Sequence, residues 1–310
     1  MEVIQTILPV IVIALSGYIF QWKNIISSSE GLTLEKVSFN IFIPSLLFYG
    51  TASADFPDRI EWSLLAGFYI PVFIIYLSAM LVGKIFFSYK PVQLSVFGMG
   101  ASYSNITIVG IPLCLQLFGG EAFLPLFIII SIHNILLFGF GIIIAESKRD
   151  STSTIIRHIF QIFKSFLKNP LTCSLVAGIS INILNISIYS SLLNAINLMS
   201  QAAIPMSLFS LGGALTRYKI SGELSAPIVL LLLKLIALPS LVWFFVFHLF
   251  EINEIWAGTA VILASTPIGI SPYIFSRRYQ ACEGQIASAV VLTSALSVVT
   301  ASLFILLIYR

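Results

Sequence analysis

The chain has 310 residues, 58% of them hydrophobic and only 9% charged, with a formal net charge of +3. A soluble domain carries about 25% charged residues, so most of this chain is made to face lipid. The small positive excess argues against nucleic acid as a partner.

At about 20 apolar residues per span, the length holds about ten spans and no sizeable soluble domain. Apolar runs bounded by polar or charged residues fall at 3–21, 34–54, 62–88, 92–118, 122–145, 168–186, 195–215, 225–249, 254–275 and 285–309. The first follows Glu2 with no basic n-region and no small-residue cleavage site, so it reads as a span and not as a removed signal peptide. The second carries Asn40 ahead of Pro44, the fourth Asn105 through Pro112, and the fifth His133-Asn134 at its middle. A polar stretch then divides the chain into a first five-span region, 1–145, a connector, 146–167, and a second five-span region, 168–310. Its basic segment Arg157 to Lys164 has partly amphipathic spacing, and reads either as a helix on the membrane surface or as a plain connector. The seventh span carries Pro205 and Ser207, the eighth Lys234 before Leu238-Pro239, and the ninth Thr266 through Pro272. Cys114, Cys173 and Cys282 form no CxxC or Cys/His spacing and read as packing residues.

Assigning the loops alternately puts thirteen lysines and arginines, from Lys23 to Arg278, on one side and only Arg59 and Arg310 on the other. That bias obeys the positive-inside rule if the connector is cytoplasmic and both termini are extracytoplasmic. An odd span count would scramble it. The expected location is the cell membrane, the inner or plasma membrane.

The two halves echo each other at an offset near 161 residues. Gly17 pairs with Gly178, Pro44-Ser45-Leu46-Leu47-Phe48 with Pro205-Met206-Ser207-Leu208-Phe209, Pro112 with Pro272, and Glu121 with Glu283. Five spans is an odd number, so a second copy enters the membrane from the opposite face. Inverted repeats of this kind place transporter sites near the midplane, where interrupted helices meet.

The fourth and ninth spans are the interrupted ones. Ser104-Asn105-Ile106-Thr107-Ile108-Val109-Gly110-Ile111-Pro112 and Ser265-Thr266-Pro267-Ile268-Gly269-Ile270-Ser271-Pro272 each set Gly and Pro beside small polar side chains. Proline removes a backbone donor, glycine accepts unusual dihedrals, and in lipid the freed groups need a partner. A half-helix starting there points free N–H groups and the positive end of its dipole at a carboxylate. The alternative is a kink that only aids packing.

These segments also carry a resemblance. Asn105 through Pro112 followed by Phe118-Gly119, Lys168-Asn169-Pro170, Ala202 through Gly212, and Pro267 through Phe275 leading to Arg277-Arg278-Tyr279 resemble motifs of the auxin efflux carrier family. That family includes the plant PIN-FORMED proteins and bacterial malate or malonate permeases, and the likeness runs over nearly the whole chain. It implies an all-α membrane protein of ten transmembrane helices, in two inverted five-helix repeats with crossing broken helices 4 and 9. It also implies a scaffold bundle moving against a transport bundle, with Asn40 and Ser207 on the scaffold side bordering the site. The implied substrates are organic anions. Ile106 departs from the small polar residue that many relatives carry after Asn105, and the long central loop of the large plant members is absent.

No Asp or Glu lies mid-span. Proton- and sodium-coupled carriers often place a carboxylate at depth, so any coupling would use backbone oxygens, His133 or the substrate's own charge. Lys234 either attracts an anion or bonds a backbone carbonyl or snorkels. His133-Asn134 either contacts substrate or forms an interhelical hydrogen bond.

The expected function is a secondary transporter moving a small organic anion, such as a mono- or dicarboxylate. An anion channel, or a carrier of the same fold for a non-anionic solute or coupled to sodium, is the alternative. The expected substrate-binding set is Asn105, Thr107, Gly110, Pro112, Thr266, Pro267, Gly269, Ser271, Pro272, His133, Asn134, Lys234, Asn40 and Ser207. No catalytic group, metal or cofactor is expected: His133, His158 and His248 are the only histidines, and no mid-span acid accompanies them. Partners are the substrate anion and the lipid bilayer, with a homodimer left open.

Overall fold

The computed structural model describes residues 2–54, 61–147, 164, 168–217 and 223–308. Apart from Lys164, the basic segment 157–164 lies outside these residues. The described chain is helical, with one isolated β-bridge. In chain order the helices are α1 (Glu2–Trp22), α2 (Ser28–Ala52), α3 (Ser63–Phe86), α4 (Pro91–Ser102) and α5, made of the turn Ile106–Gly110 and the helix Ile111–Phe118. They continue with α6 (Phe123–Ala145), α7 (Pro170–Ile183), α8 (Ser190–Leu215), α9 (Ser225–Leu249), α10 (Glu254–Ser265), α11 (Ile270–Tyr279) and α12 (Glu283–Ile308).

Among the described residues six stretches are long and apolar enough to cross a membrane: α2, α3, Ile106–Ala145, α8, α9 and α12. Leu8–Trp22, Pro170–Ile183 and Glu254–Ser265 are shorter apolar helices. The 40-residue stretch Ile106–Ala145 would be about 60 Å long as one helix, twice a bilayer's hydrocarbon core. A 3₁₀ turn at Gly119–Ala122 divides it, with Gly119 at φ 59.

Local chemistry sets many helix starts. Ser27 opens α2 with a capping box: its hydroxyl accepts from the Glu30 N–H, and the Glu30 carboxylate accepts from the Ser27 N–H at 2.8 Å. Asn169 caps α7, with Pro170 at the first helical position where no N–H is needed. Asn253 caps α10 in the same way.

Among the described residues four wide π-turns interrupt the helices: Ser38–Phe42, Ile106–Gly110, Leu233–Ala237 and Phe245–Leu249. Pro44, Pro112 and Pro239 each lie two residues beyond one of the first three. A proline offers no N–H and its ring crowds the carbonyl four residues back. A turn bonding five residues back, such as Ile43 N–H to Ser38 O or Leu238 N–H to Leu233 O, shifts the ladder ahead of it.

The chain forms two compact units, each drawing on both sequence halves: residues 1–60, 111–127 and 165–217, and residues 61–110, 128–164 and 218–310. In the first, α1 packs on the second part of α8, and α2 packs on α7. Backbones meet directly. A Cβ on Gly17 would lie 1.9 Å from Phe209 O, one on Gly212 1.7 Å from Ala14 O, and one on Gly178 2.7 Å from Phe48 O. Small residues at such crossings let membrane helices approach. Asn182 adds hydrogen bonds to Ala52 O at 3.0 Å and Ala54 O at 2.8 Å, and Arg217 pairs with Glu35.

In the second unit α10 is the buried axis, with every residue from Trp256 to Ser265 inside. Tyr69 donates to Ile129 O at 2.7 Å. Tyr76 donates to Ser95 O at 2.9 Å, and the Ser95 hydroxyl donates to Gly141 O at 2.6 Å. This chain ties α3, α4 and α6 together. Tyr76→Phe removes this buried hydrogen bond to a helix carbonyl, and should cost about 1 kcal/mol. The check is a lower thermal midpoint for the detergent-purified variant.

Candidate functional site

Two helix breaks meet inside the second unit. The first separates α4 from α5. Helix α4 stops at Ser102, Tyr103 turns extended (φ −81, ψ 117), and Asn105 starts the next turn. Its side-chain oxygen accepts from Ile108 N–H at 3.3 Å, and its carbonyl accepts from Val109 and Gly110 N–H. The break thus falls at Tyr103–Asn105, ahead of Gly110 and Pro112, which sit within α5. Gly110 packs closely there, since a Cβ would come 2.5 Å from Leu263 Cδ2 and the leucine would have to shift.

The second break separates α10 from α11. Thr266 turns extended (φ −65, ψ 154), Pro267 cannot continue the ladder, and Gly269 opens α11 with no side-chain cap. Pro272 lies in the first turn of α11, where its missing N–H costs nothing. Ser104 and Ile268 form an antiparallel bridge, and Asn105 N–H donates to Pro267 O at 2.9 Å. The two extended segments therefore satisfy each other. Ile268 N–H donates to Thr293 Oγ1 of α12 at 3.2 Å. A Cβ on Gly269 would lie 2.9 Å from the Tyr103 ring, so glycine lets the strands close.

What remains at this crossing is a set of donors. No acceptor within the described protein serves the N–H groups of Ile106, Thr107, Ile270 and Ser271, the first of their helices. The Asn105 amide nitrogen has no partner among the described residues. Asn105, Thr107 and Ser271 are half-buried, so these donors are reachable, whereas Thr266, Pro267, Gly269 and Pro272 are buried behind them. No Asp or Glu occurs from 103 to 112 or from 262 to 275. Two helix N-termini and no carboxylate make a place suited to negative charge.

His133 and Asn134 of α6 hold the first break in place. His133 Nε2 accepts from Ser104 N–H at 3.4 Å, and Asn134 Oδ1 accepts from the Tyr103 hydroxyl. Lys234 is fully buried and donates to Ala264 O at 2.6 Å, so it bonds a backbone carbonyl and does not snorkel. Asn40 and Ser207 belong to the first unit. Asn40 donates back to Lys36 O at 2.7 Å, and Ser207 back to Ile204 O at 3.0 Å. Tyr103, Ser104 and Thr293 were not expected from the sequence. The only hint was that the first two directly precede Asn105; nothing marks Thr293, which is one hydroxyl among several in α12. Among the described residues no group of three or more His, Cys, Asp or Glu stands together.

Comparison with known proteins points to a membrane transporter. The membrane transport protein family matches residues 2–305. A protein of Rhizobium meliloti (strain 1021) named "Putative malonate transporter" is 24% identical over 203 residues. That match covers 66% of this chain and 63% of the relative, so the chain spans less than two thirds of its relative's length. The motifs around the two breaks, the apolar helices and a family match of nearly full length agree: the chain is an integral membrane protein and belongs to the membrane transport protein family, the auxin efflux carrier group that its sequence resembles.

Proposed function

We propose that this protein is a secondary carrier for a small organic anion, a mono- or dicarboxylate, bound at the crossing of the two breaks. The observation that carries the reading is the convergence of two helix N-termini, with free N–H groups and the Asn105 amide, in a place that holds no acid. A carboxylate fits these donors and a cation does not. Gly110, Thr266, Pro267, Gly269 and Pro272 shape the site, and Pro112 shapes the start of α5. Asn105, Thr107 and Ser271 touch substrate, and His133-Asn134 fix the first break. The name of the relative points the same way.

Ten spans in two inverted repeats form the frame of this reading. Reciprocal packing in the first unit supports it. Gly17 of α1 meets Phe209 O of α8, and Gly178 of α7 meets Phe48 O of α2. Adding the repeat offset to Gly17 gives Gly178, and subtracting it from Phe209 gives Phe48. One contact maps onto the other with partners exchanged, as a two-fold relation between repeats requires. The charge bias of the loops supports extracytoplasmic termini. With an inside-negative potential, outward movement of an anion gains roughly 2.3 kcal/mol per charge per 100 mV, so export needs no coupled ion.

The test is counterflow in proteoliposomes. Vesicles loaded with unlabelled malonate should accumulate external labelled malonate transiently, and the initial rate should saturate. Flux without saturation or counterflow would mean a channel, and accumulation that requires a sodium gradient would mean sodium coupling.

A further inference from the structure

We propose that the Lys234 ammonium is a tethered cation closing the C-terminal end of α10, so that the crossing works with no metal cation bound there. The inference rests on the crossing as the transport site.

A helix that ends inside a protein leaves its last carbonyls without N–H partners and carries about half a negative charge there. At the end of α10 three of those carbonyls find side-chain donors. Ile262 O accepts from the Ser265 hydroxyl at 2.8 Å, and Leu263 O from the Thr266 hydroxyl at 2.7 Å. Ala264 O would take the N–H of Ile268 in a continuous helix. At the break that N–H turns away to Thr293, and Lys234 Nζ takes its place at 2.6 Å.

The ammonium is 0% exposed and has no carboxylate partner among the described residues. A buried charge is costly unless compensated. Here the compensation is the helix end itself, and the charge serves the helix end in return. Lys234 lies in the wide turn Leu233–Ala237 ahead of Pro239, an irregularity of the kind often found at functional positions. A cluster of helix-end carbonyls in a membrane protein is also where a monovalent cation gathers ligands. A fixed ammonium fills that role permanently, and its positive charge lies behind the donors that face the substrate.

The experiment compares wild type, Lys234→Ala and Lys234→Met by malonate counterflow and by thermal unfolding, in sodium, potassium and choline salts, with and without propylammonium. Wild-type counterflow should agree within about twofold in all three salts. Lys234→Ala should fall at least tenfold in choline. Propylammonium, which replaces the removed end of the side chain, should restore much of that loss and raise the unfolding midpoint of Lys234→Ala but not of wild type. Lys234→Met fills the space without charge, and should stay low and unresponsive. Wild-type rates for Lys234→Ala in choline, or a folded Lys234→Ala that responds to neither propylammonium nor sodium in either readout, would overturn the inference. So would tenfold stimulation of wild type by sodium, a result that needs no variant to fold. If wild type shows no counterflow at all, the carrier reading falls, and the unfolding midpoints still decide the role of Lys234.

Discussion

Asn105→Asp is expected to fold as well as the wild-type protein and to lose at least about tenfold in malonate counterflow. The side chain at this position has two duties that the substitution separates. Its oxygen caps α5 by accepting from Ile108 N–H, and aspartate caps as well as asparagine. Its amide nitrogen donates to none of the described residues and, in the proposed site, is the donor for a carboxylate. The substitution keeps the cap, deletes the donor and sets a negative charge where the proposed site would hold an anion. A hydrogen bond to a charged group contributes about 1.5–3 kcal/mol, and each 1.4 kcal/mol is about tenfold in affinity. Asn105→Ala removes both duties, so it should also lower stability by about 1 kcal/mol. The measurements are initial counterflow rates and unfolding midpoints side by side. If Asn105→Asp transports at the wild-type rate, the amide is no substrate contact and the site lies elsewhere.

The second large effect is on folding. Gly212→Val should destabilise the protein by on the order of 3 kcal/mol, at the upper end of the usual cost of overpacking. The new Cβ would stand 1.7 Å from Ala14 O, and a backbone atom cannot turn aside as a flexible side chain can. Helices α1 and α8 would have to separate along the contact that joins them. Gly178→Val should act in the same direction at α2 and α7, where Phe48 O and the Thr51 hydroxyl stand in the way. Gly139→Ala is the control, because nothing lies within 4 Å of its Cβ and alanine favours the helix. Unfolding midpoints and the monodisperse fraction in gel filtration measure all three. A Gly212→Val variant as stable as Gly139→Ala would mean that the α1–α8 contact is looser than described.

Much of the architecture was legible because lipid imposes simple rules. Apolar runs separated by polar punctuation predict helices at 62–88 and 225–249, and α3 and α9 occupy them within a few residues. Pro267 and Gly269 predict an interruption, and the chain is extended at 266–269. In the fourth span Gly110 and Pro112 predict the interruption several residues too late. Pro112 is absorbed by the wide turn Ile106–Gly110, while the chain opens at Tyr103–Asn105. A proline tells that a ladder must be relieved, but not whether by a break or by a wider turn. Lys234 shows the same limit: periodicity puts it mid-span, yet its partner is a carbonyl 30 residues away.

By itself the sequence determined that this chain lies in a membrane, and it pointed to two segments where a helix is interrupted. Each of these follows from local composition and from the absence of water around a backbone that must bond to itself. Only the tertiary structure decided how the irregular segments are satisfied. Ser104 bridges Ile268, Asn105 N–H finds Pro267 O, and Thr293 and Lys234 take up the groups that the second break sets free. These partners are far apart in the chain, and hydrogen bonding between distant residues leaves no period in the sequence to read.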